Sequence, residues 1–216
     1  MPDLKFQVDG AEAVPFAAEP LLALKLRVEN ANREETIHTI ALRAQIQIEA
    51  QRRQYGPEEK KSLLDLFGQP DRWSKTLKPI LWTHASVVIP SFTGAISVNL
   101  NVPCTFDFNI AATKYFYAVS DGDIPLDLLF SGTVFHAGGG GSLQVAPVPW
   151  DKEARFRLPA RIWREMMDLY YPNSAWLSVR RDVFDRLYQY KTQRGIPTWE
   201  QALESLLAAE EEPAIQ

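Results

Sequence analysis

The residues able to carry chemistry in this 216-residue chain are few and scattered. His38, His84 and His136 are its three histidines, and a metal reading needs a second ligand at short spacing, as in His-x-His or Cys-x-x-Cys. None has one. His38 falls on the strand face of Ile40 and Leu42, His84 sits in an apolar run between Trp82 and Val88, and His136 follows Phe135 at a strand end. All three are expected as core or strand-end histidines. The alternative is an enzyme or small-ligand site in the sheet mouth near His84, His136 and Trp150. Cys104, the single cysteine, follows Pro103. A thiol nucleophile needs a neighbouring base and an electropositive pocket; no such signature surrounds it, so a buried small hydrophobe is expected. Gly138–Gly141 followed by Ser142 resembles a phosphate loop, but that cradle needs a following helix with a lysine. Leu143–Val148 reads as a strand, so a hairpin tip is expected. Asp121 and Asp123 flank Gly122, a turn signal, whereas carboxylates paired for acid–base work converge across a cleft. No catalytic set, metal or cofactor is expected.

One concentration of chemistry remains. Arg155, Arg157, Arg161, Arg164, Arg180, Arg181, Arg186, Lys191 and Arg194 are interleaved with Trp163, Tyr170, Tyr171, Trp176, Tyr188 and Tyr190. Basic and aromatic residues together can bind single-stranded nucleic acid. Glu165, Asp168, Asp182 and Asp185 weaken that field, and so does an acidic tail. Two readings are stronger: a solvated helix face with local ion pairs, or a protein-docking surface, because Arg, Trp and Tyr are enriched in interfaces. The expected partner-binding residues are Arg161, Trp163, Arg164, Tyr170, Arg186 and Tyr190, facing a protein partner or a second copy.

The elements that must position these residues follow from periodicity. Apolar residues recur at every second position in Leu22–Val28, Ile40–Ile48, Ile96–Val102, Phe106–Phe116 and Leu126–Val134. Half-buried alternating strands joined by short Gly, Pro and Asp turns argue for antiparallel sheets. Leu42, Ile46, Leu100, Phe108 and Phe130 are expected inside; Arg43, Gln47 and Asn99 are expected outside. One helix is expected at about 57–67, opened by Pro57 and closed by Gly68. After Pro149 the period becomes helical: one helix through Ile162–Tyr170, a second N-capped by Asp182 and ending near Gly195, and a third opened by a Thr198/Gln201 capping box. The fold class is α+β, mainly β: an antiparallel two-sheet, sandwich-like core with one inserted helix and three C-terminal helices. The expected division is 1–158 for the β core, 159–209 for a helical section packed on it, and 210–216 for a frayed acidic tail.

Charge adds little. There are 23 Lys and Arg against 27 Asp and Glu, a formal net of −4, which points to neither nucleic acid nor an anionic membrane. The N-terminus lacks the apolar core of a signal peptide, no apolar run approaches the roughly 20 residues that span a bilayer, and one cysteine excludes an intrachain disulfide. A cytoplasmic protein is expected.

The segments Ile37-His38-Thr39-Ile40-Ala41-Leu42-Arg43, Leu81-Trp82-Thr83-His84, Phe130-Ser131-Gly132-Thr133-Val134-Phe135 and Pro149-Trp150-Asp151-Lys152 resemble an uncharacterised bacterial family, a domain of unknown function. Its members are often encoded beside actinobacterial-type NiFe-hydrogenase genes. The likeness runs roughly from Phe6 to Leu207 and consists of core and turn residues, so no functional residue carries over. The resemblance implies a small soluble accessory protein in hydrogenase biogenesis or assembly, whose partner is a hydrogenase subunit or maturation factor. Factors that handle nickel, iron or iron–sulfur clusters ordinarily carry clustered Cys or His. One Cys and three scattered His point instead to a metal-free, non-enzymatic assembly protein. A fainter resemblance, at fold level only, is to export-type holdase chaperones, which makes a holdase-like chaperone a further alternative.

Overall fold

The computed structural model describes residues 2–105, 110–119, 121–138, 142–174 and 177–211. Its strands are β1 (Leu4–Ala13), β2 (Leu21–Asn30), β3 (Thr36–Ile48), β4 (Ile80–Ile89), β5 (Phe92–Thr93), β6 (Ala95–Pro103), β7 (Asp123–Ala137), β8 (Leu143–Pro147) and β9 (Glu153–Pro159). Three make one sheet, in the order β1-β2-β6. The second sheet runs β4-β3-β7-β8, with β5 on β3 and β9 on β7. Every pairing is antiparallel.

The period of two decides which side chains the sheets enclose. Leu22, Leu24, Leu26 and Val28 are buried while Lys25 and Arg27 are exposed. Ile40, Leu42, Ala44, Ile46 and Ile48 are buried against an exposed Arg43, with Gln45 and Gln47 half-buried. Leu100 and Val102 face in; Asn99 and Asn101 face out. Phe6 of β1 stacks on Phe130 of β7 with ring centroids 4.5 Å apart, so the inner faces of the two sheets meet. Each fully buried Leu or Ile contributes about 1.5–3 kcal/mol through removal from water, which makes this two-sheet interior the main source of stability. Gly132 lets β7 approach β3 where a side chain could not fit. Its φ is +148°, and a Cβ there would lie 2.1 Å from the Ala41 carbonyl oxygen.

Four local expectations are corrected. His38 does not share a face with Ile40: β3 slips against β7 between Ile37 and Thr39, leaving His38 as the extra, exposed residue of a bulge. Ile110–Ala118 is not a strand but helix α4, because Ala112, Tyr115, Phe116 and Val119 all bury at helical spacing. Phe106 and Phe108, expected on that strand, lie outside the described residues. The helix expected at about 57–67 is two short ones, α1 (Pro57–Ser62) and α2 (Leu64–Phe67), which break at the fully buried Leu63. Helix α3 (Trp73–Thr76) follows. Asp182 is not an N-cap. Arg180 holds that position, and Asp182 lies in the first turn, where a carboxylate favours the positive end of the helix.

Helices α5 (Ala160–Tyr170), α6 (Arg181–Gln193) and α7 (Trp199–Glu211) complete the chain. The protein divides into two compact units, Met1–Ser174 and Ala175–Gln216. The sequence period changes near residue 159, but compactness changes only after α5, which belongs with the sheets. Among the described residues no helix is long and apolar enough to cross a membrane.

Candidate partner-binding surface

Helix α5 buries Ala160, Trp163, Met166 and Met167, the i, i+3, i+6 and i+7 positions of one face. Trp163 stacks on Phe116 at 5.1 Å and 11°, and Phe116 leans on Trp82 at 4.7 Å. The Arg164 guanidinium donates to the Val119 carbonyl. The Tyr170 hydroxyl donates to the Val14 carbonyl at 2.7 Å and accepts the Ala17 N–H at 2.8 Å. Trp163, Arg164 and Tyr170 are therefore fastened into the sheet unit. They are withdrawn from the surface expected of them, because Phe116, the Val119 carbonyl and the Val14–Ala17 backbone of the same unit supply their partners. Of the four α5 candidates only Arg161 is exposed.

The second unit treats the same residue types differently. Gly195, at φ +63°, ends α6, with the Ile196 N–H bonded to the Lys191 carbonyl at 3.0 Å. The Thr198 hydroxyl accepts the Gln201 N–H at 3.2 Å and starts α7. Tyr190 is half-buried: its hydroxyl lies 2.9 Å from Ser205 Oγ, and the Arg194 guanidinium covers its ring at 4.6 Å. Arg186 is exposed. Phe184 and Tyr188 meet Trp199 with centroids at 5.3 and 6.3 Å, and the Lys191 ammonium lies 5.7 Å from the same indole. Yet Phe184 is 44% exposed, Tyr188 56% and Leu207 63%, with Leu203 and Leu206 also open to solvent. Trp176 lies outside the described residues.

Phe184, Leu203, Leu206 and Leu207 were absent from the expected site, and Tyr188 stood only in the wider basic and aromatic stretch. Stripe width is the signal that points to them. Taken at about 100° per residue, Val183, Phe184, Leu187, Tyr188 and Tyr190 cover roughly 160° of α6. Trp199, Ala202, Leu203, Leu206 and Leu207 cover roughly 140° of α7. One neighbouring helix cannot enclose so broad an arc.

The alternative site does not assemble. His84 is exposed on the outer face of the second sheet, with Nε2 3.3 Å from Gln45 Oε1. His136 is buried on the inner face, with Nδ1 2.8 Å from Glu35 Oε1, while Glu35 Oε2 accepts from the Asn30 side chain at 3.1 Å. The sheet separates the two histidines, and Trp150, between β8 and β9, is 94% exposed. Cys104 is buried, its thiol directed at the Val102 carbonyl at 3.3 Å, and burial pushes its pKa up to about 12. A thiol so protonated is no nucleophile near neutral pH. Asp121 Oδ1 accepts the Gly122 N–H at 2.7 Å, and the Asp121 and Asp123 carbonyls accept from Arg53, which is turn chemistry. Gly138 N–H bonds to the Ser142 carbonyl at 2.7 Å, as at a hairpin tip; Gly139–Gly141 lie outside the described residues. Among the described residues no three His, Cys, Asp or Glu side chains group as metal ligands.

What fold and site define together is a mainly β, two-sheet α+β protein that carries a helical pair with an uncovered aromatic and leucine face. The chain belongs to the family of unknown function DUF6084, whose sequence model matches residues 1–215. No match to a curated protein is found.

Proposed function

We propose that this is a non-enzymatic cytoplasmic accessory protein that binds a protein partner, in the assembly of a NiFe-hydrogenase. The observation that carries the reading is the α6–α7 pair, where Phe184 and Tyr188 of α6 and Leu206 and Leu207 of α7 stand exposed. Large aromatics and arginines at a desolvating patch are the residue types that anchor protein interfaces. Arg186 adds an exposed guanidinium group. The hydrogenase partner rests on the family resemblance of the segments around Ile37, Trp82, Phe130 and Trp150. The test is recovery of the tagged chain from its native host, in parallel with a Phe184→Asp/Leu206→Asp variant of equal abundance. Hydrogenase subunits or maturation proteins should accompany the parent chain and fall at least about tenfold with the variant, since losing one anchor costs about 2 kcal/mol or more. Recovery of no hydrogenase protein, or equal recovery by both forms, overturns the proposal.

A further inference from the structure

We infer that the α6–α7 face is covered by the same face of a second copy of this chain. The inference rests on the reading of that face as a protein-docking surface and names what covers it in the free chain, a second copy that the hydrogenase partner displaces. The second unit spans Ala175–Gln216, and among its described residues only Ala202 is buried. A segment near 40 residues with no cysteine to form a disulfide and no histidine or cysteine to hold a structural metal needs association to complete a core. Ala202, the half-buried Val183, Leu187 and Trp199 and the Tyr190–Ser205 contact make up the enclosed side of the pair; Phe184, Tyr188, Leu203, Leu206 and Leu207 keep more than a third of their surface exposed.

Charge selects the second copy. The α6 stretch carries Arg180, Arg181, Arg186, Lys191 and Arg194 against Asp182 and Asp185. Helix α7 carries Glu200, Glu204, Glu210 and Glu211 and no cation. A two-fold interface sets α6 of each copy against α7 of the other, so basic and acidic helices alternate around a shared apolar centre. Two 13-residue helices, each about 20 Å long and about 10 Å wide, present roughly 400 Å² in projection. That is small for a stable interface, so a micromolar dimer is expected.

Sedimentation equilibrium of the full chain from about 1 to 500 μM should show reversible passage from one chain mass to two. Phe184→Asp/Leu206→Asp should weaken association at least about 30-fold. Two charge variants separate this contact from any other: Arg186→Glu/Lys191→Glu takes the α6 stretch from a net of +3 to −1 beside an acidic α7, and Glu200→Lys/Glu204→Lys takes α7 from −4 to 0 beside a basic α6. Each alone should remain monomeric, with helix content checked by circular dichroism, and an equimolar mixture should form the dimer again. A parent chain monomeric at 500 μM overturns the inference. So does a dimer indifferent to Phe184→Asp/Leu206→Asp, or a mixture that stays monomeric. A monomer that still loses hydrogenase proteins with the apolar variant sinks the dimer but leaves the function. A dimer with no hydrogenase company does the reverse.

Discussion

Helices α5 and α6 are written in nearly the same alphabet, ARIWREMMDLY against RDVFDRLYQYKTQ, and meet opposite fates. In α5 the tryptophan and both methionines are buried, and the terminal tyrosine is tied to Val14 and Ala17. In α6 no residue is buried, and Phe184 and Tyr188 face solvent. An arginine-and-aromatic helix thus takes its role from what the chain places beside it. Helix α5 leaves β9 directly, with the Ala160 N–H bonded to the Gly122 carbonyl at 2.8 Å, so the end of the sheet aims its apolar face at Phe116. The only described packing element within the second unit is α7, which covers one side of α6.

The largest test of that contrast is Trp163→Ala. Removing a buried aromatic stacked on Phe116 should cost about 3–5 kcal/mol in guanidinium unfolding, through lost transfer energy and the cavity left behind. A loss below about 1 kcal/mol would mean that α5 is as loosely held as α6.

Alkali should strike the sheet unit next. Burial holds the Cys104 thiol near pKa 12 against an ordinary 9.0, and burial also raises the Tyr115 phenol. Above pH 9 the unfolded thiol releases its proton while the folded one keeps it, so the unfolded state binds fewer protons and stability falls as pH rises. The contribution is whole below pH 9 and is lost between 9 and about 12. The slope per fully differential group is at most about 1.4 kcal/mol per pH unit. The unfolding midpoint should drop between about pH 8.5 and about pH 10.5, and Cys104→Ala should flatten part of that drop. An unchanged slope in Cys104→Ala would place the thiol outside the core.

The fold was legible where one rule governed a whole segment. Strict alternation through Leu22–Val28 and Leu42–Ile48 placed the inner faces, since a period of two leaves no freedom once one face is buried. It failed at His38, where one unpaired residue in a bulge shifts the count, and at Ile110–Phe116, where a short apolar run fits a strand or a helix equally. The candidate surface was half legible. Trp163, Arg164 and Tyr170 read like interface anchors, because composition does not reveal that Phe116, Val119 and Val14, all distant in sequence, come to meet them. The leucine face of α7 was readable from Leu203, Leu206 and Leu207, but residue-type enrichment favours arginine and aromatics and passes over leucine.

The smallest expected effect sharpens the contrast most. Tyr188 contributes a ring at the edge of the Trp199 cluster, 6.3 Å away between centroids, and is 56% exposed. Tyr188→Ala leaves no cavity and strands no buried polar group. In dilute solution it should therefore change stability by about 0.5 kcal/mol or less, as for a surface position. The same substitution at high concentration removes an aromatic from the face assigned to the second copy, so its effect should grow with protein concentration. Trp163→Ala should cost the same at every concentration, because its partners lie within one chain. Thermal unfolding of both variants at about 2 μM and about 200 μM separates the cases: dimerisation of the folded parent raises its apparent stability as concentration rises, and that gain should be missing from Tyr188→Ala. If Tyr188→Ala costs more than about 2 kcal/mol at the lower concentration, its ring is packed rather than waiting for a partner, and α6 is no different from α5.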